Sequence, residues 1–201
     1  MIEAVIFDWG GVLIKHPKAS LIAYFSNSLG VNEEAYNPMY EKFLPEFEKG
    51  MISEDTWWEN VCSELGVKKP NNQSLWWEAF RHSYDPIEEM FSLASLLKEK
   101  GYKVALLSNS ELPSMRYFYE QQYDMFDVTV FSCAERMRKP EKRIYEIALE
   151  RLGVKPNEAI LIDDKQENIN AAKELGIYGI LFVNPDQVKK ELTSVLKVVR
   201  E

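Results

Sequence analysis

Cysteine and histidine are scarce in this chain, two of each among 201 residues, and the scarcity excludes several classes of protein. Cys62 and Cys133 show no metal-ligand spacing, and a chain of this length buries roughly 70% of its unfolded surface without covalent staples. A disulfide scaffold or a cysteine-rich metal cluster is therefore not expected, and a reduced, cytoplasmic setting is the simpler reading. Long apolar runs are missing too. No stretch of about 18 apolar residues lacks charge, so no membrane span is expected. The run that follows Met1 has no basic leader and no small-residue cleavage site, and no signal peptide is read there. Positive charge is in short supply, with 24 Lys and Arg against 32 Asp and Glu, a formal net charge of −8. That balance argues against nucleic acid or an anionic membrane as partner. It leaves room for a small phosphorylated substrate, which needs only a local positive pocket. Oligomeric state is not legible, and neither repeats nor low-complexity segments occur.

What the sequence does contain is a rhythm. Short apolar runs ending in polar residues lie at 4–8, 102–110, 126–132, 158–164 and 178–183. Runs of this length with little alternation suit strands buried on both faces of a parallel sheet. Between them lie helical patterns at 87–101, 139–153 and 166–176, each ending in a glycine suited to a left-handed cap (Gly101, Gly153, Gly176). The pattern over 139–153 opens with Pro140 in its first turn. Strands alternating with helices predict an α/β, doubly wound, Rossmann-like fold.

Residues 15–86 break the rhythm. They carry helical segments, including 19–30 and 53–66, and four of the five tryptophans, Trp57, Trp58, Trp76 and Trp77. The expectation is a helical insertion after the first strand, with 1–14 and 87–201 forming the α/β core. Paired tryptophans in such a bundle read first as core packing.

In an open parallel sheet, ligands bind beyond the carboxyl ends of the strands. This sequence puts Asp8, Ser108 with Asn109, and the pair Asp163–Asp164 at such ends, and Lys139 in a loop before a helix. If the first run and the 158–164 run are neighbours, three carboxylates crowd together. Like charges at that range force a proton onto one of them unless a cation intervenes. Oxygen ligands of this kind suit Mg²⁺, and a hydroxyl and an ammonium complete a cradle for a phosphoryl group.

The segments FDWGGVL (7–13), LLSNS (106–110), RKPEKRIYEIALERLG (138–153) and LIDDKQENINAAKELGI (161–177) resemble, in order, motifs one to four of the haloacid-dehalogenase-like superfamily. The likeness spans the α/β portion, and the insertion lies where that superfamily carries a helical cap. It implies a phosphatase in which Asp8 attacks phosphorus and forms an aspartyl-phosphate. Ser108 would bind a phosphoryl oxygen, with Asn109 beside it, and Lys139 would pair with phosphate and nucleophile. Asp163 and Asp164 would hold Mg²⁺ together with Asp8 and the carbonyl of Gly10, and Asn168 would support the acidic loop.

One departure bears on substrate. Most phosphatases of the superfamily carry a second aspartate two residues after the nucleophile, as general acid and base; here Gly10 stands there. Such catalysis is worth on the order of 10²–10⁴ in rate. The D-x-G-x-V motif resembles that of bacterial sugar-phosphate phosphatases, α-glucose-1-phosphate phosphatases among them, and a sugar 1-phosphate, whose leaving oxygen needs less proton help, is the expected substrate. His16 and His82 are thin candidates for a replacement acid. Trp9 is expected to pack beside the site. Of the basic run Arg136, Arg138, Lys139, Lys142 and Arg143, only Lys139 is expected off the solvated face. Rival readings are a 2-haloacid dehalogenase, against which the acidic pair counts, and a phosphate-binding scaffold without turnover. A response-regulator module is disfavoured by the reversed order of its acidic groups.

Overall fold

All four residues of strand β1 (Ala4–Phe7) are fully buried, because the strand lies in the middle of a five-stranded parallel sheet. The structure is a computed structural model that describes residues 1–196; the expected core's last positions, 197–201, lie outside the described residues. β2 (Lys103–Ser108), β3 (Val128–Phe131), β4 (Ala159–Asp163) and β5 (Tyr178–Leu181) complete the sheet in the order β3-β2-β1-β4-β5. Alternate residues of β1 serve opposite faces, as the period of a strand requires. Val5 and Phe7 join one apolar cluster with Leu93, Ala94 and Leu97 of α5 (Glu88–Glu99) and with Val188 and Leu192 of α10 (Pro185–Val195). Ala4 and Ile6 join another with Ile144 and Ala148 of α8 (Lys142–Leu152) and Ile169 of α9 (Gln166–Glu174). Helices on both faces make the sheet doubly wound.

The register decides where chemistry can occur. Phe7 pairs with Leu106 on one side and Ile162 on the other, and Asp8 N donates to Ile162 O at 2.9 Å. The first residue after β1 therefore lies beside the last residue of β4, and Ser108 ends β2 on the same edge. Pro140, expected inside a helix, stands one residue before the N-cap Glu141 of α8. The turn that carries Lys139 is thus freed from helical geometry.

Between β1 and α5 the chain folds into four helices: α1 (Lys18–Leu29), α2 (Glu33–Glu48), α3 (Glu54–Leu65) and α4 (Leu75–Ser83). The outgoing and returning segments pair at the neck, where Lys15 N donates to Asp85 O and Ile87 N to Leu13 O, both at 2.8 Å. Asn32, Ser53 and Ser74 each cap the helix that follows through a side-chain oxygen. α2 runs on despite Pro38 and Pro45 within it, which hide it from a reading of sequence alone. Trp57, Trp58 and Trp76 are buried, and rings of Phe25, Tyr40, Phe47 and Trp57 surround Trp76 at 4.8–5.9 Å between centroids. Trp77 lies nearer solvent, with Arg81 over its ring at 5.5 Å. The bundle's apolar residues and those of one sheet face belong to a single buried cluster, which also holds Trp9, Val12 and Leu13. A short α6 (Leu112–Glu120) links β2 to β3, and α7 (Ser132–Glu135) follows β3. No helix among the described residues is long and apolar enough to cross a membrane.

Candidate active site

Asp8 leaves the sheet with its carboxylate already oriented. Oδ1 accepts from the Trp9 backbone N–H at 2.7 Å and lies 2.8 Å from Lys139 Nζ, while Oδ2 has no protein partner among the described residues. Lys139 also meets Asp163 Oδ2, at 2.6 Å, and is 1% exposed. Asp163 is the more heavily held carboxylate: Asn168 Nδ2 donates to both its oxygens, at 2.9 and 3.0 Å, and Lys165 N to Oδ1 at 2.9 Å. Burial opposes the charge of each member of this group, with unequal results. At Asp8 burial wins over Lys139, and with Asp163 and Asp164 adding repulsion the carboxyl is pushed up to about 7. At Asp163 burial is outweighed by Lys139 and by the donated hydrogen bonds, so the carboxyl stays below its ordinary value. Lys139, between two carboxylates, is held above its ordinary value although burial acts against it.

Asn109, expected near substrate, commits its amide to Lys139. Oδ1 accepts from Lys139 N at 2.8 Å, and Nδ2 donates to Lys139 O at 2.9 Å. This two-sided clamp fixes the turn that aims the ammonium. Ser108 Oγ lies 2.7 Å from Ser110 Oγ, and Ser110 N donates to Ser132 Oγ at 2.9 Å. Ser132 Oγ in turn donates to Glu48 O at 2.6 Å, across 84 positions of sequence. A single hydroxyl ties the loop after β2 to the helical insertion.

A cation suits the remaining carboxylates. Asp8, Asp163 and Asp164 each offer an oxygen within 4.8 Å of the others. Asp164 Oδ1 is buried without a hydrogen-bond partner, and an orphaned anionic oxygen in such a place is costly unless something electropositive meets it. Burial and the Asp163 charge hold Asp164 above its ordinary value. An all-oxygen set is what Mg²⁺ prefers. Asp164 is also tightly packed: a Cβ on Gly11, whose φ is +91°, would stand 2.2 Å from Asp164 Oδ2. Gly10 lines the adjoining cavity.

That cavity encloses about 370 Å³ above Asp8. Its floor is Asp8, Gly10, Ser108 and Lys139; its walls include Leu21, Leu44 and Phe80, and polar groups of Tyr40, Glu48, Glu111 and Arg138. Trp9 also lines it, 1% exposed and edge-on to Phe118 and Phe131. His16 lines it too, with Nδ1 accepting from Lys18 N at 3.4 Å, whereas His82 lies away from it, against Tyr24. Arg138, expected on a solvated face, is a correction: its Nε lies 2.9 Å from the buried Glu48 Oε2, and it lines the cavity. Lys142 and Arg143 do face solvent, paired with Glu146 and Glu150. Sequence reasoning missed Glu48 and Glu111. Glu111 adjoins the Ser108–Ser110 segment, a signal that could have found it; nothing local marks Glu48.

The chain is 31% identical to a sesquiterpene phosphatase of Aspergillus oryzae, over 89% of this chain and 88% of that protein. It is 24% identical to D-ribitol-5-phosphate phosphatase of Bacteroides thetaiotaomicron, over 98% and 99%. Other relatives are longer, and the chain spans 19% of one mouse protein to which it is 31% identical. A crystal structure of a HAD family enzyme from Bacteroides thetaiotaomicron, in complex with magnesium and inorganic phosphate, superposes with a TM-score of 0.72 at 26% identity, covering 90% of this chain and 94% of that one. The family model described as haloacid dehalogenase-like hydrolase matches residues 2–176, and the chain belongs to that family.

Proposed function

We propose that this chain is a Mg²⁺-dependent phosphomonoester hydrolase acting through an aspartyl-phosphate on Asp8, with residues 15–86 serving as its cap. The observation that carries the proposal is the asymmetry of Asp8. One of its oxygens is held by Trp9 N and Lys139 and the other has no protein partner among the described residues, while an oxygen of Asp8 lies within 4.8 Å of one of Asp164, whose Oδ1 is orphaned. Asp8 Oδ2 forms a bond to phosphorus as the bond from phosphorus to the alcohol oxygen breaks, and the departing oxygen takes a proton from solvent water. Water then attacks the same phosphorus, releasing inorganic phosphate and restoring Asp8. Ser108 donates to a phosphoryl oxygen, and Lys139 balances the charge that gathers on the group in flight. Mg²⁺ held by Asp164, Asp8 and the Gly10 carbonyl, with the hydrogen-bonded Asp163 supporting that loop, would supply charge neutralisation at the phosphoryl oxygens.

The substrate we infer is a small sugar phosphate, such as a sugar 1-phosphate. Two features support it. Gly10 offers no carboxylate to protonate a poor leaving group, and the cavity, about 370 Å³, mixes ionic and apolar walls at the small end of ligand pockets. A terpenyl phosphate is the rival. Phosphate release should be measured across sugar 1-phosphates, sugar-alcohol phosphates, nucleotides and a farnesyl phosphate with Mg²⁺. A preference for sugar 1-phosphates supports the reading; equal rates across the panel, or a preference for the terpenyl ester, would remove it.

A further inference from the structure

Glu111 is a poor structural bargain unless a ligand meets it. It occupies the N-cap position of α6 yet makes no side-chain cap bond, and it is 6% exposed. Its Oε2 accepts from Ser114 Oγ at 2.9 Å, and Ser114 Oγ accepts from Trp76 Nε1 at 3.2 Å, so the carboxyl is anchored through the helical insertion. The residue lines the cavity above Asp8, so a ligand there meets its carboxyl. The same cavity is lined by Glu48, 7% exposed and paired to Arg138 at 2.9 Å, and by Tyr40. Burial, with the Glu48 charge adding to it, pushes Glu111 up to about 8. At neutral pH the group is then mostly a carboxylic acid, able both to donate and to accept. A hydrocarbon in the cavity would leave it unsatisfied in a dry environment, at a cost in free energy.

We infer that Glu111, flanked by the Glu48–Arg138 pair, is the specificity-determining group that binds hydroxyl groups of a sugar or polyol phosphate. The inference rests on the phosphatase reading above and names the side chain behind its selectivity. Glu111 touches no reacting atom in this account, so it acts on recognition rather than on the phosphoryl transfer itself.

The test compares a hydroxylated substrate, such as a hexose phosphate, with p-nitrophenyl phosphate, which has no hydroxyl groups. Glu111→Met keeps the volume and removes the polar head. The ratio of kcat/KM for the hexose phosphate over the aryl phosphate should fall about 10- to 100-fold, mainly through KM. Glu111→Gln, which also donates and accepts, should restore most of that ratio. An unchanged ratio, whether the two activities fall together or neither falls, would overturn the inference, since a purely structural role moves both equally. If the wild type releases phosphate from no ester, the phosphatase reading fails by itself. The same contrast, measured as Kd for a hexose phosphate against inorganic phosphate, then decides the role of Glu111: a weakening confined to the hexose phosphate upholds it, and equal or no weakening overturns it.

Discussion

Lys139 and Asp163 form a buried ion pair, Nζ to Oδ2 2.6 Å, with side chains 1% and 0% exposed. Lys139 holds Asp8 on its other side, so one ammonium serves two carboxylates. Removing it leaves both uncompensated. Lys139→Met should lower unfolding free energy at pH 7 by about 3–5 kcal/mol, as breaking a buried pair does, measured by urea denaturation. The penalty should shrink in acid. Asp163 has a depressed folded-state pKa, so its contribution is present above the unfolded value and is lost as pH falls through the folded one. Lys139→Arg should rescue neither stability nor turnover, because the fixed guanidinium fork does not fit the space of a point-like ammonium.

Asp8 should behave in the opposite sense. Its folded-state carboxyl titrates at about 7, above the reference value of 3.8. The folded protein therefore binds more protons than the unfolded chain between those values, and this group's contribution to stability declines as pH rises from one to the other. Without metal, Asp8→Asn should melt above the wild type at pH 8, with the difference fading towards pH 4. Turnover should drop by at least about 10³-fold, as removal of a nucleophile does. Retention of wild-type activity would show that Asp8 is not the nucleophile.

Asp163 and Asp164 are adjacent but differently employed, and that difference can be measured. Asp163 accepts from Asn168 and Lys165 and pairs with Lys139, whereas Asp164 Oδ1 is orphaned. Asp163→Asn should lower the melting temperature in metal-free buffer. Asp164→Asn should leave it level or raised, yet abolish the upward shift that Mg²⁺ produces. For the wild type that shift corresponds to about 2.7 kcal/mol at a hundredfold excess of Mg²⁺ over Kd.

Gly11 and Gly10 should separate just as clearly. A Cβ on Gly11 would stand 2.2 Å from Asp164 Oδ2, in a backbone with φ +91°, whereas one on Gly10 would meet only Pro17 Cδ at 3.5 Å. Gly11→Ala should weaken Mg²⁺ binding by about 10- to 100-fold, the range seen when a ligand's support is disturbed. Gly10→Ala should leave Mg²⁺ affinity within about threefold of wild type. Isothermal titration of both variants distinguishes these outcomes.

Ser132 joins the loop after β2 to the insertion by accepting from Ser110 N and donating to Glu48 O. Ser132→Ala leaves a buried N–H without its acceptor and should destabilise the protein by about 1–3 kcal/mol. Because the same hydroxyl holds Glu48, KM for substrate should rise as well. A loss of stability with KM unchanged would confine Ser132 to a structural role.

The sequence by itself determined the strands, the doubly wound architecture and the residues that converge on one sheet edge. Asp8, Ser108, Lys139, Asp163 and Asp164 were legible because local rules govern them: apolar runs end in polar residues, and parallel strands present their carboxyl ends to ligand. The helix α2 was not legible, since Pro38 and Pro45 argue against a helix there and packing around Trp57 and Trp76 overrides them. Tertiary structure alone decided how the converging groups divide their work. Asn109 clamps Lys139, Asp163 is saturated by hydrogen bonds, and Asp164 is left free. Tertiary structure also brought Arg138 and Glu48 together, and Glu111 into the cavity they share. Such pairings depend on where an inserted helix lies relative to the sheet edge, and burial then sets the charge of every group enclosed between them; no spacing along the chain encodes either.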